Sequence, residues 1–197
     1  MRFLGLISVF LTFTLALSAP HKRQAESPEY VLQLINTLRQ AHGVKTLSWN
    51  VDLEKASLAK AQLCSQETPA PSGLVSLNAK GASSWKEAIN KIYTMGLSQY
   101  DFNNPNPQRN TDVIFMLLMA PRYKSVGCAT TNCSGTDVHQ CLFEFEGVQY
   151  QSAEEFVNDV KANVHPANAT LLIDSVAPKP VFANLNSPQP YGAYISF

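Results

Sequence analysis

From Ser27 onward, apolar positions recur at helical spacing. Val31, Leu34, Ile35 and Leu38 fall on one face behind Ser27 as hydroxyl cap, Pro28 in the first turn and Glu29 at the positive end of the dipole; Gly43 supplies the stop. A short extended stretch, 45–49, precedes Asn50, which caps a second helix with Leu53, Ala56, Ala59 and Leu63 on a shared face leading to Cys64. Residues 65–83, rich in Pro, Ser, Gly and Ala without a period, read as a loop. Ser84 with Glu87 forms a capping box for a third helix, whose buried stripe is Trp85, Ala88, Ile89 and Ile92 and whose end is Gly96. After a polar loop at 101–110, the uninterrupted apolar run Val113 to Ala120 reads as a buried helix stopped by Pro121, although periodicity alone also allows a strand. Alternation over Tyr123–Ala129 and Val138–Phe145 predicts two paired strands joined by a turn at 130–137. Ser152 with Glu155 opens a last helix running to about Asn163. The remainder, from Pro166, is proline-rich and aperiodic, a tail laid over the domain that finishes in the strand-like 191–197.

The extreme N-terminus follows a different pattern. Arg2, an apolar run from Phe3 to Leu17 and the small residues Ser18 and Ala19 read as a signal peptide over residues 1–19, since the run is too short to cross a bilayer and lacks a basic stop-transfer flank. Lys22-Arg23 then ends a short pro-segment, 20–23, at a dibasic processing site. Removing residues 1–23 takes away Arg2, Lys22 and Arg23 but no acid, leaving 12 basic against 15 acidic side chains. A small negative charge without a basic run excludes nucleic acid as partner. No later stretch is long and apolar enough for a transmembrane helix, so one secreted, extracellular, monomeric domain is expected. The four cysteines Cys64, Cys128, Cys133 and Cys141 all follow the signal region; an even count in an oxidising compartment implies two disulfides, with three connectivities open. Zinc is disfavoured, because no CxxC pair is present.

Several stretches, in order, resemble one family. YVLQLINTLRQAHGVKTLSWNVDLEKASLAKAQLC carries an N-x-x-R-x-x-H-G-V pattern at Asn36, Arg39, His42, Gly43 and Val44, then L-x-W and an alanine-rich helix ending in Cys; YDFNNP at 100–105 and SVGCATTNC at 125–133 follow. Together they resemble the CAP superfamily: cysteine-rich secretory proteins, venom antigens, plant pathogenesis-related proteins and secreted fungal sterol-binding members. The short signal with a dibasic step suits the fungal secreted type. The resemblance implies an α+β fold, an α-β-α sandwich with helices flanking a small antiparallel sheet, over residues 27–147, and leaves 148–197 as a C-terminal extension. It also implies the pairing Cys64 with Cys133 and Cys128 with Cys141.

The family's cleft usually holds two His and two Glu that can bind a divalent metal through converging lone pairs. In this sequence the first His position falls on Ala70; in Ser76-Leu77-Asn78, Leu77 replaces a glutamate; the second glutamate falls on Met95 or Gly96; the second His falls on Val113 or Ile114. Only a one-residue shift, to Asp112, reaches a ligand-type side chain. No metal and no other cofactor is therefore expected. His42 at a helix end, His139 on a strand and His165 before a proline read as surface or helix-end residues, and no nucleophile elbow accompanies them, so no catalytic residue is assigned and no enzyme is expected.

Two functions remain. Related secreted members bind sterols beside the loop spanning 103–110 in this chain, or fatty acids between helices; Tyr100, Phe102, Asn103, Asn104, Pro105 and Pro107 are the corresponding lipid-loop candidates, and an apolar cleft suits an apolar ligand. The alternative is a protein-interaction module, an effector or defence-type ligand with no small-molecule partner, contacting an extracellular protein through its loops and C-terminal segment. Asn168-Ala-Thr170 is an acceptor sequon for N-glycosylation.

Overall fold

The computed structural model describes residues 26–65, 69–168 and, in backbone, 193–194. Five helices and five strands follow the chain as α1 (Pro28–Ala41), β1 (Ser48–Trp49), α2 (Val51–Gln62), β2 (Leu74–Lys80), α3 (Trp85–Leu97), α4 (Asn110–Met119), β3 (Tyr123–Cys133), β4 (Thr136–Phe145), α5 (Ala153–Asn163) and β5 (Ala193–Tyr194). The caps are those the sequence signals: Ser27, Asn50, Ser84 and Ser152 each accept backbone N–H bonds from the first turn of the following helix. The signal and pro-segment, Thr170 and most of the proline-rich tail lie outside the described residues.

The strands form one sheet in the order β1-β3-β4-β2-β5, antiparallel except where β1 runs parallel to β3. Strand alternation divides the side chains between two layers. Val75, Leu77, Ala79, Val126, Cys128, Cys141 and Phe143 belong to the main core, with the apolar stripes of α1, α3 and α4 and with Phe156 and Val160 of α5. The opposite face lies under α2, and the resulting α-β-α sandwich is the expected α+β architecture.

Three sequence readings are corrected. Residues 74–80 are a strand inside the sheet, not loop: β2 pairs with β4 along its whole length and is buried on both faces, which removes the alternation that marks a half-exposed strand. The turn at 130–137 shrinks to Ser134-Gly135, both at positive φ (51° and 85°), the two-residue hairpin geometry that lets Thr130–Cys133 and Thr136–Asp137 join the ladder. On α2 the buried face is Leu53, Ser57, Lys60 and Ala61, while Ala59 and Leu63 are exposed. Ser57 and Lys60 tolerate burial because their polar ends reach carbonyls, Ser57 Oγ to Gly127 O at 2.7 Å and Lys60 Nζ to Pro69 O at 3.3 Å. The close approach expected of a small-residue helix is made on the strand side, at Gly127, where a Cβ would sit 2.2 Å from Glu54 N.

Candidate functional site

The residues of the N-x-x-R-x-x-H pattern are structural. Asn36 clamps the backbone of Leu47 from both sides, Nδ2 donating to its carbonyl at 2.9 Å and Oδ1 accepting its N–H at 2.8 Å. Arg39 is fully buried, and its guanidinium donates to the carbonyls of Lys45 (2.9 Å), Leu118 (3.0 Å) and Ala120 (3.2 Å), two of them at the end of α4 where a helix has no N–H of its own to offer. Burial lowers its pKa to about 10. His42 stands at the end of α1 as its sequence position predicts, as the C-cap, but is buried and not on the surface. Its Nδ1 lies 2.6 Å from the His165 carbonyl and its Nε2 3.0 Å from the Tyr93 hydroxyl, which assigns the neutral Nδ1–H tautomer, with Tyr93 donating to Nε2. His165 N returns a bond to the His42 carbonyl, and Asn168 N bonds Ala41 O, so the segment after α5 is tied to the end of α1.

The positions to which the family resemblance assigns a metal tetrad carry no ligand-type side chain. Leu77 and Ile114 lie in the main core, Met95 and Val113 pack against it, Ala70 sits half-buried in a loop, and Gly96 faces Phe115 so closely that a Cβ would lie 2.8 Å away. Hydrocarbon offers a divalent cation no lone pair, so these residues do not fit the group. Asp112, the nearest acid, is buried and engaged: Oδ2 accepts Asn106 N at 2.9 Å and Oδ1 lies 3.5 Å from Arg109. Among the described residues, no cluster of three or more His, Cys, Asp or Glu is placed to hold a metal.

At the lipid-loop positions, Tyr100 and Phe102 turn inward. Tyr100 packs on Phe115 (ring centroids 4.3 Å apart) and edge-on to Phe102 (4.9 Å), and Phe102 stacks on His42 (5.8 Å). Pro105 is buried and Pro107 half-buried; Asn103 and Asn104 are exposed, and side-chain caps from Asp101, Asn106 and Asp112 knit the loop. Cys64 is bridged to Cys133 and Cys128 to Cys141, the pairs implied by the family resemblance. Asn168 is exposed.

A groove of about 970 Å³ opens at the start of α1 and α3, between them and α2. Its floor is the outer edge of β3 and its walls include Trp49, Leu58 and Trp85, both tryptophans of the chain among them. Among the described residues that border it, three are carboxylates, Glu26, Glu54 and Asp137, and none is Lys or Arg. Glu26 accepts Trp85 N at 2.5 Å, Glu54 accepts Trp49 Nε1 at 2.9 Å and Asp137 accepts Asn132 Nδ2 at 2.8 Å. His139 lies at the same end, buried rather than on the surface as its sequence reading had it. Nε2 donates to Ala82 O at 3.0 Å, Nδ1 accepts from Thr130 Oγ1 at 3.0 Å, and the ring meets Trp85 edge-on at 4.8 Å. Burial lowers its pKa below the usual 6.5. The sequence offered no signal for this groove, because its residues come from six separate segments.

The family model described as CAP, cysteine-rich secretory protein family, matches residues 32–145. Among solved structures, the hookworm platelet inhibitor is 16% identical and superposes with a TM-score of 0.51 over 65% of this chain and 75% of its own. NaASP2, determined with Zn2+, is 17% identical with a TM-score of 0.50 over 58% of this chain and 77% of its own. BmVAL-1 is 17% identical, with a TM-score of 0.50 over 66% and 82%. The likeness is one of fold. No curated protein sequence matches the chain.

Proposed function

This chain belongs to the CAP family of cysteine-rich secretory proteins, and from that premise we infer that it is a secreted recognition protein, acting by contact with another protein, without catalysis and without a metal. The observation that supports the reading is that Leu77, Met95, Val113 and Ile114, the positions to which the resemblance assigns the ligand set, lie in or against the packed core. A cleft that is part of the core has neither lone pairs for a metal nor a polarised water for hydrolysis. What supports protein contact over lipid carriage is where the surface chemistry lies. The aromatics of the 100–107 loop are spent on packing, while the groove above β3 pairs two tryptophans with three carboxylates. Trp is enriched where proteins bind proteins, and pockets for small apolar ligands are lined predominantly by apolar side chains with few polar groups. Secretion is supported by the two disulfides, which persist in oxidising compartments, and by the signal-like N-terminus.

Native mass spectrometry of protein secreted from culture, with ergosterol, palmitate and Zn2+ added in turn, tests this. The expected spectrum shows the bare, doubly bridged protein in every case. A stoichiometric lipid adduct would establish the carrier function instead, and tight stoichiometric zinc would restore a metal site.

A further inference from the structure

We propose that Asn132, near the end of β3, is an N-glycosylation acceptor whose occupancy is set by competition with closure of the Cys64–Cys133 disulfide; this rests on the secreted part of the reading above, because the reaction belongs to the secretory pathway. Asn132-Cys133-Ser134 fits the Asn-x-Ser/Thr acceptor pattern, as Asn168-Ala-Thr170 does, and no other asparagine of the chain fits it. The structure shows where this sequon stands. Only Ser134 and Gly135 join β3 to β4, so the sequon occupies the hairpin tip, and both Asn132 and Ser134 are exposed. Neighbouring side chains on a strand point to opposite faces. Cys133 faces α2, where its sulfur is bonded to Cys64, while Asn132 shares the other face with Thr130, whose hydroxyl meets His139 at 3.0 Å beside Trp85. Disulfide and glycan therefore leave β3 in opposite directions, and the folded chain has room for both.

The Asn132 amide tolerates the modification. Its Oδ1 accepts Gly135 N at 2.9 Å and its Nδ2 donates to Asp137 Oδ1 at 2.8 Å. Transfer from a polyprenyl-diphosphate-linked oligosaccharide forms a bond between Nδ2 and the anomeric carbon of the first sugar, breaks the bond from that carbon to the diphosphate oxygen, and releases polyprenyl diphosphate and one Nδ2 proton. The carbonyl oxygen and the second Nδ2–H remain, so the side chain keeps its acceptor for Gly135 N and one donor. The closed hairpin is not itself a substrate: the chain reverses inside the sequon with Ser134 at φ 51°, Cys133 is tied to α2, and both polar atoms of the Asn132 amide are engaged. The acceptor is the chain before the hairpin closes. Cys64 precedes Cys133 by 69 residues, so its thiol is already made when the sequon appears. Glycosylation leaves the Cys133 thiol able to bridge afterwards, whereas bridging first ends the opportunity for glycosylation. Because Asn132 borders the groove above β3, the glycan stands at the hairpin side of that groove.

The full chain is expressed in a eukaryotic secretory host, and secreted and cell-retained protein are each treated with peptide N-glycosidase in heavy-oxygen water, which converts a glycan-bearing Asn into labelled Asp, and then mapped by mass spectrometry. The expected map shows label at position 132 in a fraction of wild-type molecules, and a non-reduced map of the same material shows the Cys64–Cys133 bond intact in the glycosylated molecules. Cys64→Ser removes the competing bond and should raise the labelled fraction at least twofold, a difference legible in the cell-retained protein even where the variant is poorly exported. Ser134→Gly deletes the acceptor pattern while suiting the positive φ, and should abolish the label. Absence of label at Asn132 in the wild-type protein, its persistence in Ser134→Gly, or equal occupancy with and without Cys64 would overturn the proposal. Secreted, doubly bridged protein with no sugar at Asn132 defeats this proposal alone; protein kept in the cell with residues 1–19 still attached defeats both it and the secreted reading, and a lipid or zinc adduct in the native mass spectra defeats the recognition function itself.

Discussion

At the level of single residues, the side chains that make the sequence recognisable hold the backbone instead of performing chemistry. Arg39 is the clearest case: a charge taken fully out of water, with three carbonyls as its partners. Arg39→Met keeps much of the side-chain volume but leaves those carbonyls unpaired, two of them at the end of α4, and should cost about 3 kcal/mol, read as a lower urea midpoint. Tyr123 predicts the opposite sign. Its hydroxyl is buried without a hydrogen-bond partner, while its ring stacks on Phe143 and touches Phe145. Tyr123→Phe retains the rings and removes the stranded oxygen, so stability should rise by about 1 kcal/mol; a loss would show that the hydroxyl has a role that packing does not reveal. The pattern of the sequence marks Arg39 and His42 but not what they do. A polar residue on the apolar side of a helix is legible as unusual, whereas the carbonyls it serves lie as much as 81 residues away.

At the level of elements, legibility followed exposure. The capped helices α1, α3 and α5 were readable because each has one wet face and one dry, so periodicity and cap agree. β2 was not: with Ser76 and Asn78 buried alongside Val75, Leu77 and Ala79, its polar and apolar positions face equally dry surroundings and the pattern cannot distinguish it from a loop. The polar side remains tolerable because Gln140 Nε2 bonds Ser76 Oγ at 3.0 Å and Leu77 O at 3.1 Å. The face of α2 was misread for a related reason, since its serine and lysine are buried by partners on other segments. The contact between α2 and β3 depends on the missing side chain of Gly127. Gly127→Ala would place a methyl 2.2 Å from Glu54 N and 2.6 Å from Asn50 O, backbone atoms that cannot swing aside, so α2 must lift from the sheet. The expected loss is about 3 kcal/mol, measured by chemical denaturation, with protease nicking appearing first in the α2 region. An unchanged midpoint would mean that the helix rides more loosely on the strand than this packing indicates.

Across the whole molecule, the two buried histidines join distant parts of the chain and set its response to acid. His42 ties α1 to α3 and to the segment after α5, and His139 ties β4 to β3 and to the approach of α3. Burial lowers both pKa values from 6.5. Above that value both imidazoles are neutral, folded or unfolded, and their contribution to stability does not vary. As pH falls through 6.5 the unfolded chain takes up protons that the folded chain resists, so unfolding becomes proton-coupled and stability falls until the folded-state values are reached. Each histidine contributes a slope of up to about 1.4 kcal/mol per pH unit in that interval. The carboxylates respond lower down. Hydrogen bonds from Lys91 and Ser83 hold Glu87 at about 2, and those from Lys124 and Ser125 hold Glu144 below its usual 4.5, so their contribution is lost only as pH drops beneath that range. Urea midpoints at constant ionic strength should therefore be level from pH 8 to 7, decline between 6.5 and 5, and decline again below 4.5. If the first decline persists in the His42→Gln, His139→Gln double variant, other groups cause it; if it is missing from the wild-type protein, the imidazoles are more accessible to protons than their hydrogen-bonded burial requires.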